Sequence, residues 1–505
     1  MIRIARRYPV ALVLALGSGV GLALLPSEGV ILALLGFALV GLVATTFAEP
    51  LFGLAVAIVL SPLQPLERAE LGFALGSGQL VLGAVLFACA IRWVAQRRWA
   101  LPLKSPVWAA GLAFLGVGFV SFFPARDLGN WATELVKWGQ LLLVAALVAS
   151  EPSATKPLCP QPRAPLPRGG GMEVGAEHRT GHLHVLLGAI LSSGLLQAGL
   201  GIYQAEFRGF GPAEFRVFGT EARFRAYGSF EQPNPFGGYM GLIWPVALGV
   251  AVWRAQARAW AQALLAAGTA GASLYALWAS GSRGALVGAA VATLAFALGT
   301  INRPVIWAGL ALSIGAALYG FDLVNLPPSL EDQLQRYGSL DVRNAHVTPI
   351  TFSTIERLAH WQAALRMIEA SPWLGVGLGN YAAAYPEFRL LPWQNPLGHA
   401  HNFYLNIFAE TGVLGLLSYL VFWALVIGLT WHAARRQPRD WVLLGVLAAW
   451  GHLSAHHVFD KLYVANTHIL LGVYLGLVLA RTQEARALHR VRQSAPRSAD
   501  GTPQV

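Results

Sequence analysis

Long apolar runs recur along almost the whole of this 505-residue chain, and they restrict its possible folds more than any other feature. A helix needs about 20 apolar residues to cross the hydrocarbon core of a bilayer. Only 12% of the residues are charged, whereas about a quarter are charged in a soluble globular domain. Inside a bilayer the backbone must satisfy its own hydrogen bonds, which favours helices. The sequence therefore predicts an all-α integral membrane protein.

Hydropathy and turn residues predict about 12–14 transmembrane helices. Some of the early spans are short or interrupted by glycine and proline, so a range is given. The candidate spans are residues 9–25, 29–47, 50–64, 77–94, 106–123, 132–149, 183–203, 235–253, 259–279, 284–299, 304–320, 403–429, 440–456 and 464–480.

The formal net charge of +11 reports on membrane topology. Lys and Arg are concentrated in the loops on the side of the N-terminus, which carries Arg3, Arg6 and Arg7, and the opposite side is acidic. The positive-inside rule then places both termini in the cytoplasm. No small-residue cleavage site follows the basic N-terminus, so we expect an uncleaved first span. A nucleic-acid partner is not indicated, and two cysteines exclude a disulfide framework.

These spans and loops divide the chain into six predicted parts. The parts are an N-terminal transmembrane scaffold (1–150), a disordered cytoplasmic loop (151–182), a central transmembrane region with arginine-bearing outer loops (183–320), a large periplasmic loop domain (321–402), C-terminal transmembrane helices (403–481) and a disordered cytoplasmic tail (482–505).

The outer segment over residues 204–234 alternates arginines with aromatic residues and ends at a Pro-Asn-Pro turn that contains Asn234. Arginine binds diphosphates well because its planar fork donates two hydrogen bonds and keeps its charge. Arg225 lies next to the turn, and Arg223 precedes it. The alternative is an acid-paired surface loop, because four glutamates are interspersed among the arginines.

Two further arginines are predicted on the same outer side. Arg283 lies in the tight turn over residues 280–284, where it either binds an anion near the helix start or extends to the membrane surface. Residues 353–370 predict an amphipathic helix with Arg357 away from its apolar stripe. The glycines of the following stretch, 371–381, lack the βαβ context of a nucleotide-binding loop and predict a turn-rich segment.

Two histidines precede the long apolar run of residues 403–429. His399 and His401 fall at the mouth of a predicted span, where a histidine is costly unless it has a role. An imidazole can take a proton near neutral pH. His456 and Asp460 could share a helix face and bind a metal, but structural or substrate-orienting roles are favoured, because His452 is the single further histidine nearby at helical spacing.

The predicted topology brings Arg225, Arg283, His399 and His401 to the outer face. Guanidinium groups that neutralise a diphosphate, beside an imidazole base, suit group transfer from a diphosphate donor. Because nucleotide donors are not present outside the cell, the donor should be lipid-linked. The arginines could stabilise the leaving diphosphate without a metal.

Four motifs over about residues 225–417 resemble the O-antigen ligase and polymerase superfamily of bacterial membrane glycosyltransferases. They are RAYGSFEQPNPFGGYM, GSRGALVG, ALRMIEASPWLGVGLGNY and HAHNFYLNIFAETGVLG. The resemblance implies a GT-C-like fold in the bacterial inner membrane and an inverting reaction that uses no cofactor and no metal. It implies a glycan on undecaprenyl diphosphate as donor, and lipid A-core or a growing polysaccharide as acceptor.

The resemblance also implies roles for individual residues. Arg225 and Arg283 would bind the diphosphate, and His401 would be the general base. His399 is a second candidate for the base, and Asn402 and Glu410 would orient the site. Arg223, Arg357 and Asn234 complete the predicted substrate-binding set.

Three alternatives differ in acceptor or in class. A polymerase of lipid-linked repeat units or a protein O-oligosaccharyltransferase would use the same donor chemistry. A transporter of lipid-linked saccharides is less favoured, because such proteins usually have inverted repeats and polar residues at mid-membrane. Here the predicted spans carry few charges.

Overall fold

A computed structural model of the protein describes residue 41 and residues 45–71, 76–95, 105–150, 174–217, 223–300, 302–320, 352–391, 393–436 and 439–494. The first predicted span, most of the second and most of the predicted loop over 151–182 lie outside these residues, as do the first part of the predicted loop domain and the last residues of the tail.

The described residues are predominantly helical. The helices are α1 (Pro50–Leu60), α2 (Gln64–Leu71), α3 (Ser77–Ala95), α4 (Pro106–Val120), α5 (Leu128–Ser150), α6 (Val174–Ile202), α7 (Pro233–Gln256), α8 (Trp260–Ala279), α9 (Arg283–Thr300), α10 (Arg303–Gly320), α11 (Phe352–Ala370), α12 (Tyr381–Phe388), α13 (Phe403–Ala434), α14 (Trp441–His456) and α15 (Thr467–Ser494). Short 3₁₀ turns cover Ser61–Leu63 and Ala213–Phe215, and a π-helical turn covers Tyr203–Phe207.

The helices confirm an all-α integral membrane protein. Seven segments of the described chain are long and apolar enough to cross a membrane, and α4 and α14 are shorter apolar helices. No strand forms within the described ranges, where one isolated antiparallel bridge joins Arg216 to Phe224. The seven segments are Pro50–Ala69, Ser77–Ala95, Leu128–Ser150, Leu183–Phe207, Pro233–Gln256, Arg283–Thr300 and Phe403–Ala434.

Two helices extend beyond their predicted bounds. α6 begins at Val174, inside the loop predicted over 151–182, because residues 174–182 contain no proline to stop the helix. α15 continues to Ser494, into the segment predicted as a disordered tail, because residues 481–494 contain neither proline nor glycine.

Helix α7 is the most buried of the seven segments, and it packs against α8 and α14. Its contact with α14 depends on glycine, because a Cβ on Gly445 would lie 2.4 Å from the carbonyl oxygen of Pro245. Helices α7, α9, α13 and α15 begin at the end of the bundle where α8 and α14 end. The turns and loops at this end carry the polar residues described below.

The stretch between α11 and α12 lies directly against α13, where α13 is kinked. Gly412 has φ 66° and ψ −169°, and a Cβ there would lie 2.2 Å from the carbonyl carbon and oxygen of Trp373. The amide of Val376 donates to the carbonyl of Ala409 (2.9 Å). The glycine in the ligase-like motif therefore permits a close backbone approach, which fixes α11 and α12 beside the start of α13.

Candidate active site

Arg225 is held by neutral acceptors. Its Nε donates to the carbonyl of Ser280 (2.7 Å), and its Nη2 donates to Oδ1 of Asn234 (2.8 Å). Its backbone amide donates to the carbonyl of Phe215 (2.8 Å). The guanidinium is thus oriented by a turn and by the first residues of α7, and these contacts leave its positive charge without a carboxylate partner.

The loop that carries Arg225 is fixed by Gln204, which lies in the π-helical turn and is 5% exposed. Its Oε1 accepts from the amides of Tyr227 (3.1 Å) and Gly228 (2.7 Å). Its Nε2 donates to the carbonyl of Gly228 (2.8 Å). One buried amide side chain therefore satisfies three backbone groups beside Arg225, which holds the loop in a single conformation.

Arg283 and Arg357 join Arg225 to form a set that we call the arginine cluster. Arg283 is the first residue of α9 and is exposed, and Arg357 is on α11 and is half-buried. Within the described ranges, neither has a hydrogen-bond or ion-pair partner. Burial and the positive charges of Arg357 and Arg283 lower the pKa of Arg225 to about 10. The three cations repel one another and none of them is bonded to a carboxylate there, so the cluster carries positive charge that an anion would compensate.

His399 pairs with Asp460, which lies in the turn after α14. Nε2 of His399 is 2.6 Å from Oδ1 of Asp460, and its Nδ1 is 3.2 Å from the carbonyl oxygen of Leu397. Both ring nitrogens therefore have a polar partner, which fixes the orientation of the ring. Burial raises the pKa of Asp460, but the hydrogen bond and charge of His399 outweigh it and hold that pKa well below its usual range.

His401 lies next to this pair, and its ring centroid is 4.5 Å from that of His399. Its φ is +52°, an uncommon conformation for a residue with a side chain. Both ring nitrogens are buried and lack a hydrogen-bond partner in the described part of the chain. Burial, and then the charge of His399, lower the pKa of His401 to about 3. His401 is therefore neutral at pH 7, with a lone pair available to accept a proton.

The conformation of this loop, residues 399–402, is fixed from α13. Asn402 caps the helix by accepting from the amide of Leu405 (3.0 Å). Oδ1 of Asn406 accepts from the amide of Ala400 (3.1 Å), between the two histidines. These bonds make the strained backbone at His401 part of a fixed structure, as is common in active sites.

Two of the predicted site residues have other contacts. Arg223 donates from Nη2 to both carboxylate oxygens of Glu206 (2.7 and 2.9 Å), and Glu206 also accepts from the hydroxyl of Tyr275 (2.8 Å). This network favours the acid-paired alternative for Arg223. Glu410 is 2% exposed and accepts from the amides of Gly379 (2.9 Å) and Tyr381 (3.3 Å), so it holds the turn segment before α12.

The site also contains a group with metal-ligand geometry. The ligand atoms of His399, His401 and Asp460 lie within 4.8 Å of one another. The sequence offered His456 and Asp460 as a possible metal-binding pair on one helix face. In the structure α14 ends at His456 and Asp460 follows in a turn, so the two residues do not share a helix face. Three adjacent arginines oppose the binding of a cation, so the electrostatics favour an anionic ligand.

Sequence reasoning did not find the role of Asp460 beside His399, and it did not consider His360. His360 is 1% exposed and packs against His401, with ring centroids 5.6 Å apart. It lies three residues after Arg357, on the same face of α11. This helical spacing from Arg357 could have identified His360 as a candidate site residue from the sequence.

The fold and the site define a multi-pass membrane protein with a cluster of arginine and histidine side chains at one end of its helices. Residues 268–420 match the family model described as O-antigen ligase, which supports a relationship to the O-antigen ligase and polymerase superfamily. The predicted resemblance is confirmed, and it supports an enzyme of the glycosyltransferase type. No curated protein matches the chain.

Proposed function

We propose that this protein transfers a glycan from undecaprenyl diphosphate to an acceptor sugar hydroxyl on the outer face of the bacterial inner membrane. The observation that carries the proposal is the convergence of the arginine cluster on His401, a neutral and unbonded imidazole. A diphosphate would supply the negative charge that the cluster lacks. The acceptor hydroxyl would supply the hydrogen-bond partner that His401 lacks.

On the donor side, the arginines act on the leaving group. The bond between the sugar anomeric carbon and the diphosphate oxygen breaks, and its electron pair stays on the diphosphate. Arg225 is already oriented by Ser280 and Asn234, so it can bind this charge with little reorganisation. Arg283 and Arg357 approach the same anion from α9 and α11.

On the acceptor side, His401 is the general base. The acceptor oxygen forms its bond to the anomeric carbon while its proton passes to a ring nitrogen of His401. A single displacement of this kind inverts the anomeric configuration. His399 is already bonded through both nitrogens to Asp460 and the carbonyl of Leu397, so it orients the site and is the weaker candidate for the base.

Burial alone would leave His401 too weak a base for this step. The positive charge of Arg357 contributes to its lowered pKa. A bound diphosphate would offset that charge and raise the pKa of His401, so the donor would strengthen the base. The acceptor is lipid A-core or a growing polysaccharide, and the reaction uses no cofactor.

The test is a reconstituted reaction. The purified protein in liposomes receives an undecaprenyl-diphosphate-linked glycan and a lipid A-core acceptor, and released undecaprenyl diphosphate and glycosylated acceptor are measured separately. Arg225→Ala, Arg283→Ala and His401→Ala should each abolish transfer, and chelator should leave it unchanged.

Two matched controls lie at the opposite end of the bundle. Arg303, like Arg283, is exposed and begins an apolar helix, and His432 is exposed near the end of α13. Arg303→Ala and His432→Ala should retain transfer. If the wild-type protein released no undecaprenyl diphosphate, the proposal would be wrong. Products longer than one repeat unit in the absence of lipid A-core would identify a polymerase.

A further inference from the structure

His360 is a buried histidine that the reaction described above does not use. It lies on α11, and its ring stacks on Tyr385 with centroids 4.7 Å apart and an interplanar angle of 15°. Its ring also lies beside that of His401, which is inclined at 83° to it. His360 therefore lies between the ring of Tyr385 and the proposed base, His401.

The hydrogen bonds of Tyr381 fix which nitrogen of His360 carries the proton. The hydroxyl of Tyr381 donates its single hydrogen to the backbone carbonyl of His360 (3.0 Å). The same hydroxyl lies 3.0 Å from Nδ1 of His360, so it must accept there and Nδ1 must donate. Burial, and then the charge of His399, lower the pKa of His360 to about 4, so the ring is neutral at pH 7. The lone pair is consequently on Nε2.

Nε2 of His360 has no hydrogen-bond partner within the described residues, although the side chain is almost fully buried. This nitrogen is not among the fully buried unpartnered atoms of the described residues, so it keeps a small accessible area through which a ligand hydroxyl can reach it and donate a hydrogen bond. The distance from His360 to His401 is one that a single monosaccharide can span. An imidazole acceptor next to the base would face a neighbouring hydroxyl of the same sugar.

We propose that His360 is an acceptor-binding residue, whose Nε2 accepts a hydrogen bond from the hydroxyl adjacent to the one that reacts at His401. The inference rests on the proposed function, and it specifies the acceptor as a sugar with two neighbouring hydroxyls. A site that binds a hydroxyl through a buried acceptor discriminates against the analogue that lacks it. His360 would therefore set acceptor specificity without touching the donor.

Two variants separate this role from a purely structural one. His360→Asn keeps a donor close to the position of Nδ1, and so keeps the bond to Tyr381, but removes the acceptor at Nε2. His360→Gln places an amide oxygen close to Nε2 but gives up the bond to Tyr381. An acceptor-binding role predicts that Asn raises the KM for acceptor about tenfold and that Gln restores part of it. A structural role predicts the opposite order.

The assay uses the full-length protein in liposomes, with the undecaprenyl-diphosphate-linked glycan as donor and lipid A-core sugars as acceptors. The KM for donor should stay within about twofold of wild type in both variants, and His432→Asn should match wild type in every parameter. A His360→Asn variant that keeps its acceptor KM, while Gln loses it, would overturn the proposal.

A second measurement varies the acceptor. The wild-type protein is given the parent acceptor and mono-deoxy acceptors that lack one hydroxyl beside the reacting position. One of these should be used about tenfold less well, and His360→Asn should remove that preference. Equal use of all acceptors by the wild type would overturn the inference. Absence of any undecaprenyl diphosphate release would instead show that the proposed function is wrong.

Discussion

Replacing Asp460 with asparagine is the sharpest test of the pair that Asp460 forms with His399. The substitution preserves the shape of the side chain and removes its charge. Asp460 is 4% exposed, and its Oδ1 accepts from Nε2 of His399 at 2.6 Å. In the proposed reaction, His399 positions His401, so the loss should appear in the rate of transfer.

The size of the loss follows from the burial of the pair. Removing one partner of a buried ion pair costs about 3–5 kcal/mol. A neutral hydrogen bond from His399 to the new amide oxygen returns about 1 kcal/mol. If the remaining ~2–4 kcal/mol is lost in the transition state, kcat falls by about 30- to 1,000-fold. The KM for donor should not rise, because the substitution removes a negative charge close to the arginine cluster.

The assay measures kcat and both KM values in liposomes, and the thermal unfolding temperature in detergent. Asp440→Asn is the matched control, because Asp440 caps the opposite end of α14 and pairs with Arg481. It should lower the unfolding temperature without changing kcat. If Asp460→Asn kept the wild-type kcat, or raised the KM for donor while leaving kcat unchanged, the positioning role would be refuted.

Three further results are expected. Gly412→Ala should lower the free energy of unfolding by about 3 kcal/mol or more in thermal melts, because its Cβ would lie 2.2 Å from the carbonyl of Trp373 at a φ of 66°. Gly428→Ala is the control and should not lower it, because nothing lies within 4 Å of the added Cβ. Arg225→Lys keeps the charge but not the two oriented hydrogen bonds, so the KM for donor should rise about 10- to 100-fold in transfer assays. Because burial and the charge of His399 lower the pKa of His401 to about 3, protonation removes the base only as pH falls towards 3, so kcat/KM should not fall between pH 7 and pH 5; a half-loss near pH 6.5 would contradict this.

The helices could be predicted from sequence because apolar length is a local property. The predicted span over 235–253 corresponds to α7. The turn predicted over 280–284 is shorter in the structure, where residues 280–282 separate α8 from α9 and Arg283 already begins α9. Arg225 and Arg283 could be predicted as site residues because an arginine near a glycine or proline turn at the end of a span can be recognised from the sequence. The kink at Gly412 could be aligned with a motif, but its cause, the backbone of Trp373, needed the tertiary structure.

The contacts of the site residues could not be predicted from the sequence. Asp460 reaches His399 because α14 ends beside the start of α13, and nothing local to either residue records that packing. Arg223 and Arg225 are two residues apart and look equivalent in sequence. In the structure, Arg223 pairs with Glu206, whereas Arg225 donates to Ser280 and Asn234. Their different partners become visible only in the tertiary structure.

The family match covers residues 268–420. The loop that carries Arg225 and the turn that carries Asp460 therefore lie outside it. The loop of Arg225 leads into α7 and the turn of Asp460 follows α14, and these two helices pack against each other through Gly445. That arrangement has a chemical consequence for the proposed reaction. The base at His401 is weakened by burial and by the charges of His399 and Arg357, and Asp460 only partly offsets them. Binding of the anionic donor would remove part of this penalty, so the acceptor hydroxyl would be deprotonated where a donor is already bound.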